Sequence, residues 1–218
     1  VWQQRHRLRP APRLQWLATA LMLTLAATLG APWMPPLLSG LLAVLAMAAA
    51  LAAWLPQRIP TLPVLGLCVL ALPLLASLQF YAGYPLRVLT AEATRLLLSL
   101  VYAVERSGAS LLVQGQLVIV DAPCSGVQMA WLGYFTACAV ALATGRDNRC
   151  FVVRLPVVGL LVLMGNVLRN TVLVSLQVSG NSLPGWGHDS VGLVVLGTVC
   201  AGIAWAMGTS VSRERAAS

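Results

Sequence analysis

The sequence predicts an all-α polytopic membrane protein with about six transmembrane helices, plus an extracytoplasmic amphipathic helix and a short hairpin. Three observations predict it. Of 218 residues, 59% are hydrophobic and 9% charged, with a mean hydropathy of +0.83, a balance foreign to soluble domains. Six apolar runs approach the ~20 residues that a helix needs to cross a ~30 Å hydrocarbon core. The arginines between these runs fall on alternate loops, as the positive-inside rule requires.

Residues 1–13 form a basic tail with Arg5, Arg7, Arg9 and Arg13. A three-span region, 14–80, follows, with spans near Leu14–Leu29, Leu37–Leu55 and Leu62–Phe80. The first span is short and follows arginines, as a cleaved signal peptide does. The tight Ala31-Pro-Trp-Met-Pro-Pro36 turn leads straight into the second span, however, and an uncleaved helical hairpin fits better. Arg58 lies between spans two and three.

Residues 81–123 make the longest segment between spans. Within it, Leu86–Val104 reads as an amphipathic helix, with Arg87, Glu92, Arg95, Glu105 and Arg106 among leucines, suited to a membrane surface. Ser110–Val120 alternates apolar and polar residues around Gln114, Gly115 and Gln116, the pattern of a short hairpin with a glycine turn. A plain connector is the competing reading for everything before Asp121.

The last three spans, near Ser125–Thr144, Leu155–Val178 and Val191–Met207, make up a core at 124–208, followed by a tail at 209–218. Arg146, Arg149 and Arg154 separate spans four and five, and Arg213 and Arg215 follow span six. With the N-terminus inside, every arginine group between spans falls on the cytoplasmic side and both termini are cytoplasmic.

Composition also excludes function classes. The net charge of +8 is spread over loops, with no basic-aromatic module, so nucleic acid is not an expected partner; the lipid bilayer is. The cysteines are Cys68, Cys124, Cys138, Cys150 and Cys200, without a C-x-x-C pair, and a single histidine lies outside the tail. No zinc site, other metal or cofactor is expected.

Chemistry concentrates at three places. Asp121-Ala-Pro-Cys124-Ser125-Gly126 puts a thiol at the start of an apolar helix, where unpaired N–H groups and the macrodipole favour the thiolate. Arg169 lies about 15 residues into span five, roughly 22 Å from its cytoplasmic end, flanked by Asn166 and Asn170. His188 and Asp189 fall in a loop just before span six. On this topology all three reach the outer leaflet. Cys124 alone reads as a packed small residue, His188 as a solvated loop residue and Asp189 as the cap of span six. Arg169 has the weakest such reading, because an arginine within a span costs at least ~2.5 kcal/mol. Together they have the parts for acyl transfer: Cys124 as nucleophile, His188 as acid and base, and Arg169 beside the oxyanion. Backbone N–H groups at Ser125 and Gly126 are candidate oxyanion donors.

The three segments Asp121-Ala-Pro-Cys124-Ser125-Gly126, Asn166-Val-Leu-Arg169-Asn170 and His188-Asp189-Ser-Val-Gly192 resemble the exosortase/archaeosortase family, which carries Cys-Ser-Gly, Asn-x-x-Arg and a late histidine in that order. The resemblance covers about Asp121 to Gly192. It implies a transpeptidase of the bacterial inner membrane, with its active site facing the periplasm or exterior. Its partners would be exported proteins whose C-terminal sorting signal holds a short motif (Pro-Glu-Pro in the bacterial branch), a transmembrane helix and a basic tail. It further implies Cys124 as nucleophile, Arg169 as transition-state stabiliser and His188 as acid/base, working through a thioester acyl-enzyme. Family members with about eight spans imply that an N-terminal pair is missing here. Two other readings compete: a non-enzymatic scaffold or transporter subunit of a surface-export system, and a thiol oxidoreductase using Cys124 with a second cysteine.

Overall fold

A computed structural model describes residues 11–56, 59–119, 125–180 and 185–209. The described chain folds as seven α-helices and one three-stranded sheet. Four helices are long and apolar enough to cross a membrane, five if Thr61–Leu70 and Leu75–Leu98 count as one broken span, and Leu14–Gly30 is apolar but shorter. At most 33% of any such apolar window is buried within the protein, so most of that surface is left for lipid, as expected of a multi-pass membrane protein.

The chain divides into two compact units. The first holds the described parts of Val1–Pro73, Ala137–Arg154 and Met207–Ser218. Its helices α1 (Leu14–Gly30) and α2 (Pro36–Trp54) form the expected hairpin. Pro36 at the first turn of α2 spends no hydrogen bond, because the N–H it lacks has no helical partner there. The hairpin closes through alanines: Ala20 and Ala27 of α1 and Ala46, Ala49 and Ala53 of α2 are buried, while Leu21, Met22 and Leu25 point outward. Small residues inside and large ones outside is the arrangement that lipid favours. Arg13 ties the open end, its backbone N–H donating to Ala53 O (3.0 Å) and its Nη2 to Leu55 O (3.3 Å).

Polar caps close the helix ends of this unit. Asn148 caps α3 (Thr61–Leu70), with Oδ1 accepting from Leu62 N at 3.0 Å and Nδ2 donating to Thr61 Oγ1 at 2.9 Å. The buried Arg146 donates from Nε to Met207 O at 2.8 Å, satisfying a carbonyl that the C-terminal turn of the last helix cannot pair itself.

The expected third span, Leu62–Phe80, is not one helix. It breaks at Ala71-Leu72-Pro73, since proline lacks an N–H and pushes the residue before it out of the helical region. Helix α4 then runs from Leu74 to Leu98, through Pro85. The amphipathic segment expected at Leu86–Val104 is therefore the C-terminal half of a longer helix, and it ends six residues early because Val104 already belongs to a strand.

The second unit comprises Leu74–Thr136 and Leu155–Ala206. The expected hairpin is present as β2 (Ser110–Val113) and β3 (Gln116–Ile119), and β1 (Val104–Ser107) extends it to an antiparallel meander in the order β1-β2-β3. Gln114 (φ 50°) and Gly115 (φ 81°) make its two-residue turn, the positive-φ pair that a right-twisted hairpin demands. Leu111 pairs with Val118 and, with Val113, these residues face inward onto Ala91 and Leu98 of α4 and Val174. An ion cluster fastens the same sheet to α4. Glu92 accepts from Arg95 Nη2 at 2.7 Å and from Arg106 Nε of β1 at 2.6 Å. These two guanidiniums hold its carboxyl down to about 2.

Three long helices follow: α5 (Val127–Ala143), α6 (Asn148–Val178) and α7 (Gly185–Gly208). Two begin earlier than hydropathy predicts, α6 seven residues before Leu155 and α7 six before Val191. Asp147 explains the first: its Oδ2 accepts from Cys150 N at 3.2 Å, an N-cap of α6.

Candidate active site

The nucleophile candidate Cys124 and the neighbouring Asp121 lie outside the described residues; the description resumes at Ser125. Ser125 is buried, donates from Oγ to Gln79 Oε1 of α4 at 3.1 Å, and accepts from Val127 N at 3.4 Å. It thus caps α5, whose first residue is Val127. Between them, Gly126 sits at φ +84°, and a Cβ there would lie 2.8 Å from Asn166 Nδ2 and 2.9 Å from its Cγ. Only glycine fits both the backbone angle and the space.

Asn166 of α6 is 2% exposed and donates from Nδ2 to Thr90 Oγ1 of α4 at 3.0 Å. Asn170, 3% exposed, donates to Asn166 O at 2.8 Å. Both asparagines are therefore buried one turn apart on α6, and Asn166 packs against Gly126 just before α5. Arg169, between them in sequence, turns toward α7. Its guanidinium lies over Gly192, where a Cβ would come 3.2 Å from Nε and 3.3 Å from Nη2. Arg169, Asp189, Gly192 and Gln128 line one groove of about 390 Å³ whose remaining walls are Met129, Leu132, Leu193 and Leu196.

His188 and Asp189 are not in a loop: both belong to the first turns of α7, half-buried and exposed respectively. Asp189 is four residues inside a helix that starts at Gly185, so it does not cap that helix. It faces the Arg169 groove instead, while His188 is not among the described residues that line it. The described sequence-predicted residues other than His188 thus gather as two groups, Ser125-Gly126-Asn166-Asn170 just before α5 and on α6, and Arg169-Asp189 on α6 and α7. Such a groove, apolar apart from a guanidinium, a carboxylate and an amide, can hold a polar group of an otherwise apolar segment.

Sequence reasoning missed three residues here: Gln79 and Thr90 behind the motifs, and Gln128 in the groove. Gln128 was within reach as a polar residue in the first turn of an otherwise apolar run, four residues after Cys124 in sequence.

The family comparison bears on this arrangement. Residues 1–205 match the transmembrane exosortase family (Exosortase_EpsH). The chain belongs to that family. The match extends far beyond the Asp121–Gly192 segment that carries the motifs and takes in the α1–α2 hairpin and α4. No curated protein and no solved structure matches the chain. Family membership gives this exosortase a general role as a membrane transpeptidase that processes exported proteins.

Proposed function

We propose that this exosortase is a cysteine transpeptidase that cleaves the C-terminal sorting signal of exported proteins from the outer side of the cytoplasmic membrane. The observation that carries the reading is the Arg169–Asp189–Gly192 groove, bounded by the first turns of the helix that follows Cys124. An arginine half-buried among apolar residues has a high cost, and a groove opening beside it gives that cost a use.

In this scheme the Cys124 thiolate attacks the scissile carbonyl after giving its proton to His188. Arg169 balances the charge of the tetrahedral oxyanion. The C–N bond breaks, the departing amine takes the proton from His188, and a thioester remains on Cys124. An acceptor amine, a lipid or water then attacks the thioester and regenerates the thiol. Asn166 holds the arginine's helix against Gly126, and Asp189 shares the groove with the guanidinium. The substrate motif, a Pro-Glu-Pro-like sequence just outside a transmembrane helix and basic tail, would enter from the exterior with the helix in the bilayer.

The test is processing of a reporter bearing a motif–helix–arginine signal in cells carrying Cys124→Ala, with Cys138→Ala as control. Full-length, membrane-retained reporter in the first and mature reporter in the second is the expected result. Normal processing in both would leave Cys124 without a catalytic role and favour a non-enzymatic scaffold.

A further inference from the structure

Threonines in the membrane-spanning helices of this chain mostly satisfy themselves. Thr24, Thr136, Thr144 and Thr171 each donate to the carbonyl four residues back, at 2.7–2.8 Å. Thr90 is different. It is 1% exposed, and its Oγ1 accepts from the amide of Asn166, 76 residues away. Gln79, on the same helix, engages Ser125, 46 residues away. Eleven residues is three turns plus about 20°, so Gln79 and Thr90 occupy one face of α4. One contact reaches the residue after Cys124. The other reaches the first residue of the Asn-x-x-Arg segment, whose amide in turn abuts Gly126.

We propose that α4 is the positioning element of the active site: Thr90, acting through Asn166, and Gln79, acting through Ser125, fix the Ser125-Gly126 turn that follows the nucleophile in sequence. The proposal rests on the reading of Cys124 as that nucleophile. Neither residue lines the Arg169 groove; each holds a side chain beside the Ser125-Gly126 turn. Thr90, Asn166 and Ser125 are at most 3% exposed and Gln79 is half-buried, so water competes little for these bonds and the arrangement is stiff. Stiffness matters because displacing a reacting atom by even 1 Å costs about a hundredfold in rate.

Thr94 supplies a matched control. It is fully buried one turn further along α4, and its Oγ1 makes no hydrogen bond among the described residues. Thr90→Val and Thr94→Val are the same isosteric change on the same helix face, and Thr90→Ser keeps the acceptor. The experiment measures reporter processing by the full chain in membranes, as kcat and KM, together with site-resolved alkylation of Cys124 by iodoacetamide against pH. Thr90→Val should lower kcat by about 5- to 100-fold with KM unchanged, and should shift the alkylation profile. Thr90→Ser and Thr94→Val should match the wild type on both readouts. Wild-type behaviour of Thr90→Val, or equal loss in all three variants, overturns the proposal. Should Thr90→Val fail to accumulate, Gln79→Met tests the other arm, and a wild-type alkylation profile there overturns it equally. The alkylation readout does not depend on turnover. Failure of the nucleophile reading appears separately, as normal processing by Cys124→Ala.

Discussion

Gly126 is the position where one methyl group should do the most harm. At φ +84° an L-residue strains the backbone by about 1–2 kcal/mol. The new Cβ of Gly126→Ala would also stand 2.8 Å from Asn166 Nδ2 and 2.9 Å from Cγ, well inside contact distance. Asn166 is 2% exposed and has no open space to retreat into, so its amide must rotate or move with the start of α5. Either movement breaks the 3.0 Å bond to Thr90, and a buried amide left without that partner costs about 1–3 kcal/mol. The two contributions sum to about 2–5 kcal/mol, against a total stability of about 5–15 kcal/mol for a typical domain.

Gly126→Ala should therefore still fold, with a lowered unfolding temperature in detergent and reporter processing reduced at least tenfold. A double-mutant cycle separates the two causes. Asn166→Ala removes the amide that obstructs the methyl, so the double variant should lose less stability than the sum of the singles, by roughly 1–2 kcal/mol of coupling. Additive losses would show that the methyl meets no obstacle at Asn166. Wild-type stability of Gly126→Ala would refute both the strain and the contact.

Gly192→Ala should separate activity from stability. Its Cβ would meet the Arg169 guanidinium at 3.2–3.4 Å, and the far end of a flexible side chain can give way by a few tenths of an ångström; thermal stability should change by less than about 0.5 kcal/mol, while processing slows roughly tenfold. An unchanged rate would detach Arg169 from the chemistry at this position. Glu92 sets a pH dependence. Two arginines depress its carboxyl from an ordinary 4.5 to about 2, so its contribution is fully present above about pH 4.5 and is lost as pH falls toward 2. Glu92→Gln should thus lower the unfolding temperature at neutral pH and flatten the acid limb; an acid limb identical to the wild type would exclude the cluster as its source.

The parts of the fold legible in the sequence are those where hydropathy and helix limits coincide. Leu14–Leu29 and Leu37–Leu55 differ from α1 and α2 by a single residue at either end. The Gln114-Gly115 turn was legible because its backbone demands a glycine. Hydropathy fails where a helix outlasts its apolar stretch. Arg149 and Arg154 look like a loop, yet they lie in α6, because a helix leaving the membrane keeps its own hydrogen bonds. His188 and Asp189 were set outside α7 for the same reason. The break at Pro73 was hidden by apolar residues on both sides. In the site, Arg169 and its asparagines were legible through their cost in an apolar run. Thr90 was not, since a lone threonine in such a helix ordinarily bonds its own backbone.

The order of residues in the Asn166–Asn170 segment follows from helix geometry. At 100° per residue, Asn170 lies about 40° to one side of Asn166 and Arg169 about 60° to the other. Both asparagines are therefore buried toward one side of α6, where Asn166 meets Gly126 and Thr90, while the arginine is turned away from that side and over Gly192. Moving the arginine one position in either direction would bring it about 40° from the Asn166 direction, as Asn170 is, or carry it about 160° away from it. The first leaves the guanidinium competing for the space that Gly126 provides; the second points it away from α7. A spacing of three is the one that lets a single helix set one side chain against the Ser125-Gly126 turn and present a cation to the groove with another. That turn and the arginine segment are thus mechanically linked, joined through a glycine that has no side chain and an asparagine that is almost wholly buried.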